Sequence, residues 1–343
     1  VRGIFEIGNI FAGKFRKKMK VSGLGNALVD VLLKLNSDKA LEEIGIAKGA
    51  MEMIDREKMV SIRQAQQGLE RTMTPGGSVC NSMRAIACLG GESAFIGNIG
   101  HDEVGQFSEE ALQKAGTKPL FLYEGNISGS CTVLISPDGE RTMCTFLGPA
   151  PTIDPEEITD EMLAGYDYLY IEGYLIVNEP LVRRTMERAK RLGLKVALDL
   201  ANFNIVNAFK GLLADLIPNY VDILFCNESE AEAYTGQPAR EAVKTLSQLV
   251  DISIVTIGKD GQLIGSKGEV LAMPAEGSKP IDTTGAGDNF AAGFLYGQLA
   301  GATLEQSARI GSLLSGHVIA VVGPQIPEAE WPEIQAKVKS ILS

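Results

Sequence analysis

Two glycines, an alanine and an aspartate stand together just before an apolar helical pattern, in the run Asp-Thr-Thr-Gly-Ala-Gly-Asp at residues 282–288. The helical pattern then continues through Phe290 and Phe294. Because such a helix start carries little side-chain bulk, it offers bare backbone N–H groups and the positive end of the helix dipole to an anion. Asp288, in the first turn, can accept a proton from a hydroxyl brought near that anion. An anion cradle beside a base is what transfer of a phosphoryl group to an alcohol requires.

A second pair of glycines, Gly76 and Gly77, precedes another helical pattern that has Asn81 in its first turn. Glycines let a ligand approach the backbone, and an Asn side chain both donates and accepts hydrogen bonds. Asn26 and Asp30 follow the first apolar run of the chain, and a carboxylate can accept hydrogen bonds from two neighbouring hydroxyls of a sugar. Helix caps and turns use the same residue types. Taken singly these groups are weak evidence, and together they favour a hydroxyl-bearing ligand.

Two further polar groups follow apolar runs later in the chain. Asn227 and Glu230 are three apart at a helix start, where they can contact a hydrated Mg²⁺ on a phosphate or simply cap the helix. Thr256, Gly258 and Gly261 end another run and suit either nucleotide phosphates or a hairpin turn. For both groups the structural alternative stays open at this point.

Two motifs resemble well-known nucleotide-binding loops, but each lacks a residue that such a loop requires. Residues 8–14 have the spacing of a phosphate-binding loop, but Phe15 stands where a Ser or Thr must hold Mg²⁺. Residues 23–28 start like a dinucleotide-binding fingerprint but have Leu28 in place of the third glycine, which argues against an oxidoreductase.

The composition excludes several classes of protein. With 32 basic and 43 acidic residues the net charge is −11, which disfavours nucleic acid or an anionic membrane as a partner. The five cysteines are scattered without a C-x-x-C pair, and there are only two histidines, so a disulfide framework, a zinc cage and a His-rich metal site are all disfavoured. No apolar run reaches the ~18 residues that cross a bilayer. A cytoplasmic protein is predicted.

Residues 1–18 are basic and aromatic and carry no small-residue cleavage site after a long apolar core, so a secretory signal is disfavoured. We expect these residues to be an N-terminal extension of a folded domain that begins near Met19. A short membrane-surface helix is the alternative.

Strand-like and helix-like segments alternate over the rest of the chain, with strands expected at 168–171, 195–200, 221–225 and 252–257. This alternation predicts a parallel sheet covered by helices on both faces, with ligands beyond the carboxyl ends of its strands. Two segments, of about 31–60 and 119–147, depart from this alternation because their apolar runs are shorter. The second contains a hairpin turn at 137–139, and both segments would suit a small β flap.

These motifs resemble the ribokinase-like (pfkB) family of carbohydrate and nucleoside kinases over roughly residues 20–340, and within it the adenosine kinases. The resemblance implies a three-layer α/β/α sandwich with a mostly parallel central sheet and a small β lid, formed by a kinase domain of residues 19–343. It implies ATP and Mg²⁺ as cofactors and a monovalent cation such as K⁺ in some members. Partners would be a small-molecule acceptor and ATP, with neither nucleic acid nor membrane, in a monomer or homodimer.

The resemblance also assigns roles to residues. It makes Asp288 the general base, with the N–H groups of Gly285, Ala286 and Gly287 as the anion hole. The acceptor would lie against Asn26, Asp30, Gly76, Gly77, Asn81 and Arg141. ATP would lie against Asn227, Glu230, Thr256, Gly258, Gly261 and His317. Glu230 would reach Mg²⁺ through water, and Asp282 and Thr284 resemble the monovalent-cation loop.

The acceptor is left between two classes. The spacing of Asn26 and Asp30, the pair 316–317 and the segment 199–203 resemble adenosine kinases, which predicts phosphorylation of adenosine to AMP. The hairpin at 138–141 resembles sugar kinases, so a kinase for ribose, fructose or a related sugar is the alternative. A nucleoside- or ATP-binding regulator without catalysis is disfavoured by the intact base and anion loop.

Overall fold

Short runs of β-branched and aromatic residues alternate with amphipathic helices along the part of the chain that the computed structural model describes, residues 19–65, 68–277 and 279–343. The expected N-terminal extension, residues 1–18, lies outside the described residues. The strands, in chain order, are β1 Lys20–Leu24, β2 Leu28–Lys34, β3 Met51–Met53, β4 Arg71–Gly76, β5 Glu92–Ile99, β6 Lys118–Tyr123, β7 Gly129–Ile135, β8 Arg141–Phe146, β9 Tyr168–Ile171, β10 Lys195–Asp199, β11 Ile223–Asn227, β12 Ile252–Thr256, β13 Gln262–Ser266 and β14 Glu269–Met273.

The α-helices, again in chain order, are α1 Lys39–Ile44, α2 Arg56–Ala65, α3 Ser78–Cys88, α4 Glu103–Ala115, α5 Asp160–Leu163, α6 Glu179–Arg191, α7 Phe203–Ala208, α8 Lys210–Tyr220, α9 Glu228–Thr235, α10 Ala239–Leu246, α11 Ala286–Ala300, α12 Leu304–Val318 and α13 Trp331–Leu342.

Nine strands form the main sheet, in the order β14-β13-β12-β11-β10-β9-β1-β5-β6. The seven strands from β12 to β6 are parallel, and β13 and β14 extend the sheet as antiparallel strands. Along β9, Tyr168 and Tyr170 pack into one core while Leu169 and Ile171 pack into another. Both faces of the sheet are therefore buried, because successive side chains of a strand point to opposite faces and all four of β9 are buried.

Helices cover the two faces as separate layers. The core on one side includes side chains from α3, α4, α11, α12 and α13. The core on the other side includes side chains from α5 to α10. This is the three-layer α/β/α arrangement expected from the sequence, and that expectation is confirmed. Every helix in the described part of the chain is too short or too polar to traverse a membrane.

A second sheet of five strands, in the order β3-β8-β7-β2-β4, forms the small lid. One of its faces, with Val31 and Leu134, packs on apolar side chains of α1, α2 and α4. The lid strands only partly follow the expected lid segments. The strand 118–123 pairs with β5 in the main sheet, and the lid gains β4 at 71–76, outside both segments.

Candidate active site

Two glycines at the start of α11 have different structural roles. Gly285 caps the helix with φ of 76°, a left-handed conformation, and a Cβ there would lie 2.7 Å from Pro324. Gly287 has open space on the side where a Cβ would project. Most of the residues of α11 from Asn289 onward are buried while its first turn is open, so the N–H groups at the helix start face a cleft rather than the core. The N–H of Ala286 also donates to the backbone oxygen of Thr283 at 3.2 Å. An anion can approach these amides directly.

Asp288 in this first turn is held by side chains of α3. Ser78 Oγ donates to Asp288 Oδ1 at 2.7 Å, and Asn81 Nδ2 donates to Oδ2 at 3.0 Å. Ser82 Oγ also donates to the backbone oxygen of Asp288 at 2.8 Å. These contacts join two helix starts that are more than 200 residues apart in sequence. The carboxylate is therefore fixed beside the open amides of α11.

Burial raises the pKa of Asp288 above its ordinary value, although the hydrogen bonds from Asn81 and Ser78 act in the opposite direction. A carboxylate with a raised pKa is a stronger base than a solvated one. The position and the pKa of Asp288 both suit the acceptance of a proton from an alcohol.

Gly76 and Gly77 are required by close contacts with the strands around Asp30. Gly77 has φ of 90°, and a Cβ there would lie 2.3 Å from the backbone oxygen of Asn26. A Cβ on Gly76 would lie 2.9 Å from Asp30 Oδ1. The glycines therefore bring the start of α3, with Asn81, against β2, with Asp30. The sequence motif and the carboxylate belong to one pocket wall.

Asp30 is partly buried, and this burial raises its pKa to about 6. The positive charge of Arg141 lowers the pKa of Asp30, and the negative charge of Asp288 raises it. The three residues therefore lie within electrostatic reach of one another. They come from the lid and from the main domain, so the cleft between these two parts contains the candidate acceptor groups.

Arg141 also contacts the loop that leads into α11. Its Nη1 lies 3.4 Å from Asp282 Oδ2. Asp282 Oδ1 accepts hydrogen bonds from the backbone N–H and the hydroxyl of Thr284, and Oδ2 accepts from the N–H of Gly323. Burial of Asp282 acts to raise its pKa, but these hydrogen bonds and Arg141 outweigh burial and lower the pKa. Asp282 and Thr284 thus shape the loop before the anion hole and tie it to the lid.

Glu172, at the end of β9, is a functional candidate that the sequence did not reveal. It is 2% exposed and accepts hydrogen bonds from the backbone N–H and the side-chain amide of Asn26. Burial raises the pKa of Glu172 to about 7, against hydrogen bonds from Asn26 and from the N–H of Val79. Glu172 therefore links the end of β1 to the start of α3 and positions both walls of the pocket.

Replacing Glu172 with Gln should flatten the pH dependence of stability. Folded Glu172 keeps its proton up to about pH 7, whereas its ordinary pKa is 4.5, so the folded state binds more protons in this interval. The free energy of unfolding therefore falls as pH rises from about 4.5 to 7, and E172Q lacks this contribution. Melting temperatures of the wild type, E172Q and the surface control Glu305→Gln at about pH 5 and pH 7.5 measure it. An equal drop in all three proteins would contradict the assignment.

Two adjoining cavities open beside Asp288. An inner cavity of about 300 Å³ is lined by Asp288, Ser78, Asp199 and Glu230 among others. An outer cavity of about 400 Å³ lies over the ends of β12 and β13 and the start of α11. Both are lined by Gly287, so the start of α11 lies where the two cavities adjoin. A ligand in the outer cavity can present a phosphate to Asp288.

The predicted ATP residues Thr256, Gly258 and Gly261 line the outer cavity. A Cβ on Gly261 would lie 2.0 Å from the backbone oxygen of Met273, which explains why a glycine stands there. His317 is not among the lining residues. Its Nδ1 instead lies 2.6 Å from Glu330 Oε2, because the next turn of α12 directs its side chain towards the segment before α13. His317 therefore lines neither of these two cavities, whereas each of the five other predicted ATP residues lines at least one of them.

Asn227 and Glu230 form a reciprocal cap at the start of α9. The Glu230 carboxylate accepts hydrogen bonds from the backbone N–H and the amide of Asn227, and Asn227 Oδ1 accepts from the N–H of Glu230. Both residues also line the inner cavity. The capping role is therefore present at a position that also faces the cavity, and contact with a phosphate-bound Mg²⁺ stays a prediction.

Asp199 lies beside Glu230 at the end of β10. Burial raises the pKa of Asp199 well above its ordinary value, and the charges of Glu230 and Asp288 add to this effect. Among the described residues, no three His, Cys, Asp or Glu side chains gather closely enough to bind a metal ion directly. A hydrated Mg²⁺ fits this set better than a dehydrated ion, because it keeps most of its water ligands and would relieve the mutual repulsion of the carboxylates.

This site combines an open helix start, a carboxylate held by two hydrogen bonds and two cavities, under a lid that carries a second carboxylate. It defines the protein as a small-molecule kinase, a phosphotransferase with an alcohol group as acceptor.

Comparisons with known proteins give the family. A model of the pfkB family carbohydrate kinases matches residues 44–331, and the chain belongs to this family. It is 27% identical to the adenosine kinase of Schizophyllum commune over 92% of this chain and 98% of that protein. Among solved structures, the adenosine kinase from Sinorhizobium meliloti has a TM-score of 0.80 and 29% identity, covering 93% of this chain and 99% of that one. A probable sugar kinase from Rhizobium etli also has a TM-score of 0.80 and 29% identity, covering 94% and 99%.

Proposed function

We propose that this protein transfers the γ-phosphoryl group of ATP to the 5′-hydroxyl of adenosine, with Asp288 as general base. The observation that carries the proposal is the geometry of the α11 start. There Asp288 is held by Ser78 and Asn81 beside open amides, at the junction of two cavities. Membership of a kinase family supports ATP as donor and Mg²⁺ as its counter-ion.

In this reaction the residues of the site bind the phosphate, accept the proton and hold the acceptor. The N–H groups of Gly285, Ala286 and Gly287 bind the phosphate oxygens and stabilise the charge that develops during transfer. Asp288 accepts the proton of the acceptor hydroxyl late in a loose phosphoryl transfer. Asp30 accepts hydrogen bonds from the ribose hydroxyls. Mg²⁺, held through water by Glu230, would neutralise the phosphates.

The inner face of the lid favours a nucleoside over a free sugar. Cross-strand pairs place Leu32, Val133, Met143 and Met51 in one row on the face that carries Asp30. Met51 is 71% exposed, and nothing in the described protein covers it. A free sugar needs a polar partner for each buried hydroxyl, which this row does not supply. An aromatic base packs well against methionine and branched apolar side chains.

The sugar kinase remains the second candidate, and a specific feature favours it. Arg141, in the hairpin that resembles those of sugar kinases, lies within electrostatic reach of Asp30. The likeness to the probable sugar kinase from Rhizobium etli is as strong as the likeness to the adenosine kinase from Sinorhizobium meliloti.

A substrate panel separates the two functions. ADP formation by the full chain with Mg·ATP is measured in a coupled assay with adenosine, inosine, ribose and fructose as acceptors. We expect kcat/KM for adenosine to exceed that for either sugar by more than 10²-fold, since a missing base removes the packing against the lid. A sugar as the best acceptor would overturn the nucleoside assignment and leave the kinase assignment intact. ATP binding without turnover on any acceptor would overturn both.

Replacing Arg141 with Gln should shift the acid limb of the pH profile. Asp30, with a pKa of about 6, must be ionised to accept from two hydroxyls, so kcat/KM for adenosine falls as pH falls through about 6. Arg141 lowers the pKa of Asp30, so its removal moves this limb to higher pH, by about one unit. The exposed Arg184→Gln is the matched control. A profile of R141Q that overlays the wild type would contradict the proposed link.

Three further expectations stay predictions. Dependence on K⁺ at the loop of Asp282 and Thr284 is tested by exchanging K⁺ for Na⁺ in the assay. The choice between monomer and homodimer is tested by sedimentation. The cytoplasmic location is tested by fractionation of cells.

A further inference from the structure

One cavity in the described part of the chain lies outside the active site. It has a volume of about 680 Å³ and is enclosed by α3, α4 and the segment that leads into α13. Its wall includes Pro75, immediately before the Gly76–Gly77 turn, and Gln325. No step of the proposed reaction uses it.

The segment 323–326 connects this cavity to both halves of the active site. Gln325 Nε2 donates to the backbone oxygen of Pro75 at 2.6 Å, next to the glycine turn that carries the acceptor wall. Pro324 lies against Gly285 of the anion hole, and its backbone oxygen accepts from Asn289 on α11. Gly323 donates to Asp282. A ligand that moves this segment must therefore move the anion hole and the acceptor wall together.

The chemistry of the cavity wall is specific. Phe107, Ile326 and Trp331 supply apolar and aromatic surface, and Arg84 and Lys114 supply two positive charges. Arg84 is partly buried, and its Nε is buried without a hydrogen-bond partner in the described protein. A guanidinium with an unused buried donor binds a phosphate or carboxylate group strongly.

Glu328 shows which group the two cations attract. Its carboxylate pairs with Lys114 at 2.6 Å, at the exposed rim of the cavity, and it lies within electrostatic reach of Arg84. Glu110 adds a second negative charge to the wall. A doubly charged anion can replace Glu328 at Lys114 and also reach the inner Arg84. Two cations with aromatic walls match an anion that carries a ring.

We propose that this cavity is a regulatory site for an aromatic phosphate monoester, whose phosphate binds Arg84 and Lys114 and whose ring packs between Phe107 and Trp331. Binding there changes turnover through the segment 323–326. The inference does not depend on which alcohol is the acceptor.

The protein carries its own probe for this site, because Trp331 is the single tryptophan of the chain. The full-length protein is titrated with phenyl phosphate while tryptophan emission is recorded, with inorganic phosphate and phenol as partial ligands. We expect a saturable change with phenyl phosphate at concentrations at least tenfold below those needed for either fragment. The same titration in the presence of saturating acceptor and ADP should keep its amplitude, since the active site is then filled.

Two variants with opposite expectations make the test independent of folding. Arg84→Gln should weaken phenyl phosphate binding by on the order of tenfold or more, because it removes a charge-assisted hydrogen bond. Glu328→Gln, at an exposed position, should strengthen it several-fold, because it removes a competing carboxylate. The exposed Arg184→Gln should change nothing. Saturating phenyl phosphate should also change kcat/KM for the acceptor. At equilibrium it should change the Kd of the acceptor by the same factor by which the acceptor changes the Kd of phenyl phosphate.

Several results would overturn the site. One is a linear response to phenyl phosphate without saturation, and another is a signal abolished by filling the active site. A third is equal affinity in the wild type, R84Q and E328Q. Saturable binding that leaves kinetics unchanged would refute the regulatory role.

Discussion

Replacing Asp288 with Asn lowers kcat by about 10²–10⁴-fold while the affinity for ATP stays nearly unchanged. The amide keeps the shape of the side chain and can still bond to Ser78 and Asn81, but it cannot accept the proton of the alcohol. Folding is not harmed, since burial of the carboxylate already disfavours its charged form. Steady-state kinetics with adenosine, together with ATP binding by calorimetry, measure the two quantities.

The exposed Asp215→Asn on α8 serves as the matched control, because it makes the same chemical change far from the cleft. It should retain wild-type kcat. Near-normal turnover by D288N would refute the role of Asp288 as base, and an equal loss of ATP affinity would show that the residue acts in nucleotide binding instead.

Replacing Gly287 with Ala lowers kcat/KM for ATP by on the order of 10²-fold without loss of stability. A Cβ at this position meets nothing within 4 Å, so no atom of the protein has to move. The methyl group enters the space shared by the two cavities and keeps phosphate oxygens from the amides. Alanine is favoured over glycine in a helix by up to about 1 kcal/mol, so the melting temperature should stay or rise.

Gly211→Ala in α8 is the control for this prediction, because a Cβ at Gly211 also meets nothing within 4 Å. Gly211→Ala should raise the melting temperature in the same way and leave kcat/KM for ATP unchanged. Unchanged kinetics in G287A would contradict the position of the anion hole. Reduced stability in G287A with normal stability in G211A would show that Gly287 is needed for folding rather than for phosphate.

The sequence predicted those parts of the fold and site that depend on local chemistry. The alternation of strand-like and helix-like segments predicted the parallel sheet with two helical layers. Its strands were recognisable because a strand that is buried on both faces is apolar over its whole length. The glycines at 285 and 287 and the aspartate at 288 were recognisable because Asp282 and Thr284 flank them and an apolar helical pattern follows directly. Asn227 and Glu230 were also recognisable, since a capping box has a fixed spacing of three.

Contacts between distant segments were not predictable from one sequence. Ser78 bonds Asp288 across 210 positions, and the only local hint was its place directly after Gly77. Glu172 stands at the end of a strand, where acidic residues are common, and its role depends on burial beside Asn26. Asp199 was noted only as part of a family-like segment, because its charge matters through Glu230.

The lid and His317 show two other limits. Strand 118–123 has the short alternating pattern of a flap strand but pairs at the edge of the main sheet. Its composition does not determine which strand it pairs with, because pairing depends on the neighbours that the fold places beside it. His317 shares a helix with residues of the outer cavity, but the helical period turns it towards Glu330.

A crystal structure with adenosine and a non-hydrolysable ATP analogue tests the central claim most directly. The account predicts the 5′-oxygen of adenosine within about 2.6–3.2 Å of an Asp288 carboxylate oxygen, with the terminal phosphate on the amides of Gly285 to Gly287. An alcohol bound to Asp199 or Glu172 instead, with Asp288 distant from it, would contradict the account.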